Sequence, residues 1–245
     1  MNILFFMQWQ FPESFPKLGI GEVHIWRVPL IRTEKELIEF KKILNQEEQD
    51  RAAKFKVKGA ANSFMVARAI LRKLLSGYLQ IFPHDVVFQQ NQYGKLYLDS
   101  SPLQFNLSHS RDLALFIFAL NTTVGIDVEF VREDYEFTDI ASKFFSRAES
   151  EALFSLPKNE QLQAFFNCWT CKEAFIKAKG VGLFCALDDF SVEVTSVKQG
   201  KMKLDLPNDE LDSHGWFLEA IDPGDTYSGA FAIGARNYLV NFYSI

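Results

Sequence analysis

Apolar residues recur at helical spacing through Leu162, Phe165, Phe166, Trp169 and Ile176. The spacing predicts a long helix over 162–179 with one buried stripe. Glu173 lies on that stripe, and Lys177 follows one turn later. An ionised carboxylate pointing inward is costly unless it is paired or bound to a metal. A buried Glu173–Lys177 pair is the simplest way to satisfy it, and the rest of the chain bears on the choice.

The same patterning places a strand at 23–28, a helix at 33–44 and a second helix opening at Asn45. Asn45 with Glu48 three residues on has the form of a capping box. A stronger helix covers 62–79. Apolar segments at 86–90 and 95–98 flank Asn91-Gln-Tyr-Gly94 and read as a hairpin. Short strands at 105–107 and 113–120 surround Ser108-His109-Ser110, and another strand covers 124–131. Helices follow at 139–145, 147–154 and 162–179. The chain then returns to strands at 190–194, 201–206, 216–221, 227–233 and 238–243.

This order suggests duplication. Displacing the chain by 101 residues brings the strand at Val23 onto that at Val124, and Asn45-x-x-Glu48 onto Ser146-x-x-Glu149. The helix at Phe64 falls on that at Phe165. The expected architecture is therefore α+β in two similar halves, 1–121 and 122–245, joined near Asn121–Thr123. The same register puts Asp127 on Trp26, Glu129 on Val28 and Glu173 on Arg72. The first half would then lack every one of these acids.

At 245 residues with 48% hydrophobic content and 25 Phe, the chain has ample core material. A net charge of −5 argues against a broad nucleic-acid footprint but leaves room for a local basic pocket. The longest apolar run, 113–120, is too short to span a bilayer. The first residues lack a basic region followed by a cleavage site. Three cysteines fit a reducing compartment. A cytoplasmic protein, binding neither membrane nor nucleic acid, is expected.

Two polar groups interrupt the apolar pattern. In Val124-Gly-Ile-Asp127-Val-Glu129-Phe130, alternation puts Asp127 and Glu129 on one face and Ile126 and Val128 on the other. Paired carboxylates are hard ligands suited to Mg²⁺, although an edge strand with a solvated face has the same pattern. Glu173 would bring a third carboxylate. In Phe105-Asn-Leu-Ser108-His109-Ser110, strand alternation sends Ser108 and His109 to opposite sides. That argues against a nucleophile–base pair and suits hydrogen bonding to a phosphate or base; an ordinary turn fits equally well. Neither GxxxxGK[ST] nor GxGxxG occurs, so phosphates would be held by side chains and metal. The candidate cations are Arg51, Lys54, Lys56, Arg68, Arg72, Lys95, Lys172 and Lys177. Cys168-x-x-Cys171 lacks further ligands at matching spacing and reads as core.

Taken together, Gly125-Ile-Asp127-Val-Glu129, Phe144-Phe-Ser146-x-x-Glu149 and Trp169-x-x-Lys172-Glu173-Ala-x-x-Lys177-x-x-Gly180-x-Gly182-Leu183 resemble the surfactin-synthetase-type (group II) 4′-phosphopantetheinyl transferases. Tyr93-Gly94-Lys95 and Phe105-Asn-Leu-Ser108-His109-Ser110 match that family too. The resemblance covers most of the chain and is strongest over 93–191. It implies a pseudo-dimer of two α+β halves with the active site in the cleft between them, working as a monomer. It implies transfer of phosphopantetheine from coenzyme A to a serine of an apo acyl or peptidyl carrier protein, with release of 3′,5′-ADP.

By the same resemblance, Asp127, Glu129 and Glu173 would hold Mg²⁺, with a water beside Val128. Glu173 would help deprotonate the carrier serine, and Lys177 would steady the pyrophosphate and leaving group. His109 and Lys95 would contact the nucleotide end and its phosphates, with Ser108 nearby; Lys172 is a candidate phosphate-binding cation by its charge and not by the resemblance. Relatives often carry Arg where this chain has Ser63, so Arg51, Lys54 or Arg68 would grip the 3′-phosphate. A carrier-binding module without turnover, or a metal-dependent phosphodiesterase or pyrophosphatase, is the alternative. An assay with coenzyme A, Mg²⁺ and an apo carrier separates these.

Overall fold

The computed structural model describes residues 8–182, 186–206, 215–235 and 237–245. Leu183 and Cys185 lie outside them.

The first half runs β1 (Glu22–Pro29), α1 (Glu34–Ile43), α2 (Gln46–Ala53), α3 (Lys58–Leu79), β2 (Gln89–Gln90), β3 (Leu96–Tyr97), β4 (Leu103–Ser110) and β5 (Leu113–Leu120). The second runs β6 (Val124–Phe130), α4 (Thr138–Phe144), α5 (Arg147–Ser155), α6 (Lys158–Lys179), β7 (Ser191–Val192), β8 (Gly200–Lys201), β9 (Leu204–Asp205), β10 (Phe217–Ile221), β11 (Tyr227–Ile233) and β12 (Leu239–Ser244). Both capping boxes form: Asn45 caps α2 with Glu48, and Ser146 caps α5 with Glu149. The polar cluster at Ser108–Ser110 is not a turn. β4 runs through it, and the chain reverses at Arg111-Asp112.

Two four-stranded sheets form, in the orders β12-β1-β5-β4 and β6-β11-β10-β8. β12, the last strand of the chain, pairs in parallel with β1 and so completes the sheet of the first half. Alternation divides the side chains of β1 and β5. Trp26, Phe116 and Phe118 pack under α1 and α3, whereas Ile25, Leu115 and Ile117 meet Ile126, Val128 and Phe231 of the second sheet. The faces of β6 are thus assigned as alternation predicts: Ile126 and Val128 enter this shared core, and Asp127 turns toward α6.

Where β4 meets β6, side chains make the connection. Asn106 Oδ1 accepts from Ile126 N at 3.0 Å, and Ser110 Oγ accepts from Phe130 N at 3.1 Å. Gly125 lets β6 lie directly on α6. A Cβ there would stand 2.1 Å from the Ala174 carbonyl oxygen and 2.3 Å from Ala178 N.

The expectation of a single buried stripe on the long helix is corrected. α6 is buried nearly all round, through Phe165, Cys168, Cys171, Ala174, Phe175 and Ala178. Trp169, Glu173 and Lys177, spaced four apart, form its half-buried line. Such all-round burial belongs to a central helix rather than an amphipathic one. The register of the duplication is corrected as well. Glu48 pairs with Arg72 at 2.8 Å, and Glu149 pairs with Lys172 at 2.6 Å. Arg72 is therefore the counterpart of Lys172, not of Glu173. The connection from cap to long helix is one residue shorter in the second half, so the helices align at a displacement of 100.

Candidate functional site

A cavity of about 450 Å³ is lined by residues of both halves. Arg51 and Arg68 stand on the first-half side, Ser108 and His109 come from β4, and α6 contributes Glu173 and Lys177. The Arg51 and Arg68 guanidiniums lie 5.2 and 5.6 Å from the Phe64 ring centre. Arg68 is also held 3.6 Å from Glu48, and burial pulls its guanidinium down to about 10. His109 has an edge open to the cavity. Desolvation first, then Lys177 and Arg68, hold it below the usual imidazole range.

Asp127 is buried behind this wall. Its Oδ1 accepts from Lys177 Nζ at 2.5 Å and from Ser108 Oγ at 2.7 Å. Lys177 Nζ donates also to Ser108 Oγ at 3.0 Å. The expected Glu173–Lys177 pair is thus replaced by an Asp127–Lys177 pair, because Lys177 points at β6 rather than along its own helix. Glu129 accepts from Ser110 Oγ at 2.8 Å and faces a second cavity of about 360 Å³. Successive serines of β4 therefore hold successive acids of β6.

Asp127 acts on the two neighbouring carboxylates. Burial, and then Asp127, push Glu129 up to about 6, against the opposing pull of its Ser110 hydrogen bond. Burial and then Asp127 also raise Glu173, with Lys177 opposing. Asp127 Oδ2 is buried and has no hydrogen-bond partner. A desolvated carboxylate oxygen without a donor is costly. Among the described residues, no three such side chains stand close enough together to hold a metal ion as they lie. The donor set is nonetheless the one a hard cation takes: carboxylate oxygens that repel one another, one of them orphaned.

Two expected phosphate ligands are placed elsewhere. Lys172 is fully buried on another side of α6, in its ion pair with Glu149, and donates to the Phe190 carbonyl at 2.7 Å. Glu149 also accepts from Val192 N at 2.7 Å while closing the α5 cap. The Phe144-Phe-Ser146-x-x-Glu149 and Lys172 motifs thus serve one internal network, and Lys172 has no ammonium to offer the cavity. Lys95 lines the cavity, but its ammonium turns away, to the carbonyls of Lys177 (2.7 Å), Ala178 (3.0 Å) and Val124 (3.2 Å). Those contacts use all three donors of an ammonium.

The sequence did not single out Asn106 and Ser110, which join β4 to β6. Their period-two spacing with Ser108 is the available signal. Cys168 and Cys171 are buried in the core, where burial raises both thiols.

Residues 123–232 match the 4′-phosphopantetheinyl transferase superfamily, and residues 31–119 match the N-terminal region of 4′-phosphopantetheinyl transferases. The chain is 34% identical to the 4′-phosphopantetheinyl transferase HetI of Nostoc sp., over 91% of this chain and 92% of that one. It is 30% identical to the 4′-phosphopantetheinyl transferase Sfp of Bacillus subtilis, over 80% and 84% respectively. It is 28% identical to the L-aminoadipate-semialdehyde dehydrogenase-phosphopantetheinyl transferase of Xenopus laevis, over 79% of this chain and 69% of that one. With both halves matched and these relatives aligned over most of their length, the chain belongs to the surfactin-synthetase type of the 4′-phosphopantetheinyl transferases, a family of enzymes.

Proposed function

We propose that this chain transfers 4′-phosphopantetheine from coenzyme A to a serine hydroxyl of an apo acyl or peptidyl carrier protein, releasing 3′,5′-ADP, with Mg²⁺ required. The observation that carries the reading is the orphaned Oδ2 of Asp127, whose charge helps raise Glu129 and Glu173, beside a cavity rimmed by cations. Asp127, Glu129 and Glu173 would hold the magnesium. When bound, the ion offsets the pyrophosphate charge and acts as a Lewis acid on its oxygens.

The carrier serine Oγ attacks the β-phosphorus of coenzyme A. A new P–O bond forms, the bridging P–O bond breaks, and 3′,5′-ADP departs with the bridging electrons. Glu173 takes the serine proton, directly or through one water. Burial makes its carboxylate a stronger base, which suits that role. The Lys177 ammonium is already held between Asp127 and Ser108 and stabilises charge on the leaving phosphate. Ser108 and His109 hold the nucleotide end. Arg51 and Arg68 take the phosphates remote from the reaction and stand in for the arginine missing at Ser63. We assign the coenzyme A contacts chiefly to residues 1–121 and the acids to 122–245. Because one chain supplies both walls of the cavity, a monomer in the cytoplasm suffices. Among the described residues, no helix is long and apolar enough to cross a membrane.

Incubating the protein with coenzyme A, Mg²⁺ and an apo carrier, then weighing the intact carrier, tests this reading. The expected result is a gain of one phosphopantetheine. An unmodified carrier with coenzyme A consumed would favour a phosphodiesterase, and an unmodified carrier with coenzyme A intact a binding module.

A further inference from the structure

Lys95 carries a role that neither the family motif nor its place in the cavity wall reveals. It stands after the β2–β3 turn of the first half, yet all three donors of its ammonium go to the second half. Two of the accepting carbonyls, those of Lys177 and Ala178, belong to the last turn of α6, where carbonyls have no partner within the helix. The third, of Val124, is the first residue of β6. An ammonium at a helix C-terminus is also favoured by the helix dipole. One half-buried cation therefore joins the end of the helix bearing Glu173 and Lys177 to the start of the strand bearing Asp127 and Glu129.

The surrounding contacts hold Lys95 in this place. Asn91 Nδ2 donates to the Gly180 carbonyl at 2.8 Å, and Asn91 Oδ1 accepts from Lys95 N at 2.9 Å. Gly180 ends α6 in the left-handed conformation at φ 69°. A Cβ on it would come within 3.1 Å of the Lys95 side chain. The Tyr93-Gly94-Lys95 and Gly180-x-Gly182 segments, far apart in sequence, are thus two sides of one joint.

We infer that Lys95 is a positioning residue: reaching in from the first half, its ammonium clamps the C-terminus of α6 to β6, fixing Glu173 and Lys177 against Asp127, and it does not bind the phosphates of coenzyme A. This rests on the proposed transfer reaction.

The test compares Lys95→Met with the wild-type protein, measuring kcat for carrier modification at saturating coenzyme A and the Kd of coenzyme A by titration calorimetry. Wild-type transfer is the control. If it fails, the proposed function fails and not the clamp. The expected result is a kcat at least tenfold lower with a Kd within about twofold. A Kd raised tenfold, or an unchanged kcat, overturns the inference. If Lys95→Met does not fold, the wild-type ammonium is followed by ¹⁵N NMR as 3′,5′-ADP is added. A resonance unmoved by saturating nucleotide supports the clamp, and one that shifts as phosphates arrive overturns it.

Discussion

Lys177 Nζ lies 2.5 Å from Asp127 Oδ1, on the side of the carboxylate that Ser108 also reaches, and this leaves Oδ2 buried and without a donor. The two residues come from different elements, α6 and β6, brought together by the absence of a side chain at Gly125. An ammonium satisfies half of the carboxylate, and the other half is left for a cation. Under the proposed function this arrangement would separate two tasks, charge placement by Lys177 and metal binding by the acids.

Gly125→Ala should be severely destabilising, because the added carbon meets helix backbone and not a movable side chain. Overpacking in a core usually costs about 1–3 kcal/mol, and a backbone obstacle stands at or above the top of that range. Urea unfolding checks this, and a loss below 1 kcal/mol would show that α6 and β6 separate easily.

Lys172→Met should lower stability by about 3–5 kcal/mol, since it leaves Glu149 as an uncompensated buried charge. Coenzyme A affinity of the folded fraction should stay near wild type. The double variant Lys172→Met with Glu149→Gln should recover part of the loss. A stable single variant with weakened coenzyme A binding would restore Lys172 to the phosphate site.

How much of this was legible in the sequence follows from the range of each interaction. Both capping boxes are local, and Asn45, Glu48, Ser146 and Glu149 were readable as spacing alone. Strand alternation correctly put Asp127 and Glu129 opposite Ile126 and Val128. The partners of Lys95 and Lys172 were not legible because long side chains reach groups that no periodicity encodes: helix-end carbonyls in one case, a cap glutamate in the other. The parallel pairing of β12 with β1 joins the two ends of the chain and leaves no local trace. The α6 pattern misled for another reason. A helix buried nearly all round has no single apolar stripe, so Glu173 looked inward when it lies on the half-buried line facing the cleft.

The stability contributed by neutral His24 should be lost as pH drops from 6.5 toward 4, against an opposing gain as Glu129 and Glu173, both raised by burial, take up protons. His24 is buried, with Nδ1 2.9 Å from the Tyr78 hydroxyl, and burial lowers its imidazole to about 4. Across that window the unfolded chain holds the proton and the folded chain does not. The contribution is therefore complete above 6.5 and lost as pH falls through the window, by roughly 2–3 kcal/mol. Urea unfolding at pH 7 and pH 4.5 checks the sign. Stability should change less favourably toward pH 4.5 in wild type than in His24→Gln, and an equal pH dependence in the two proteins would assign the effect to other groups.

His109→Ala should weaken coenzyme A binding about tenfold while leaving carrier affinity within twofold, since the ring faces the cavity rimmed by Arg68 and Lys177. Calorimetry with each ligand separates the two. Unchanged coenzyme A affinity would remove His109 from the nucleotide site.

The central claim is that Asp127, Glu129 and Glu173 form one magnesium site and that Glu173 accepts the serine proton. The most direct measurement is the intact-mass time course of an apo carrier with saturating coenzyme A and Mg²⁺, comparing wild type with folded Glu173→Gln. Loss of a shared ligand and base removes several kcal/mol of barrier stabilisation, so the variant should be slower by about 10³-fold or more. A Glu173→Gln protein that modifies the carrier at near wild-type rate would contradict the account.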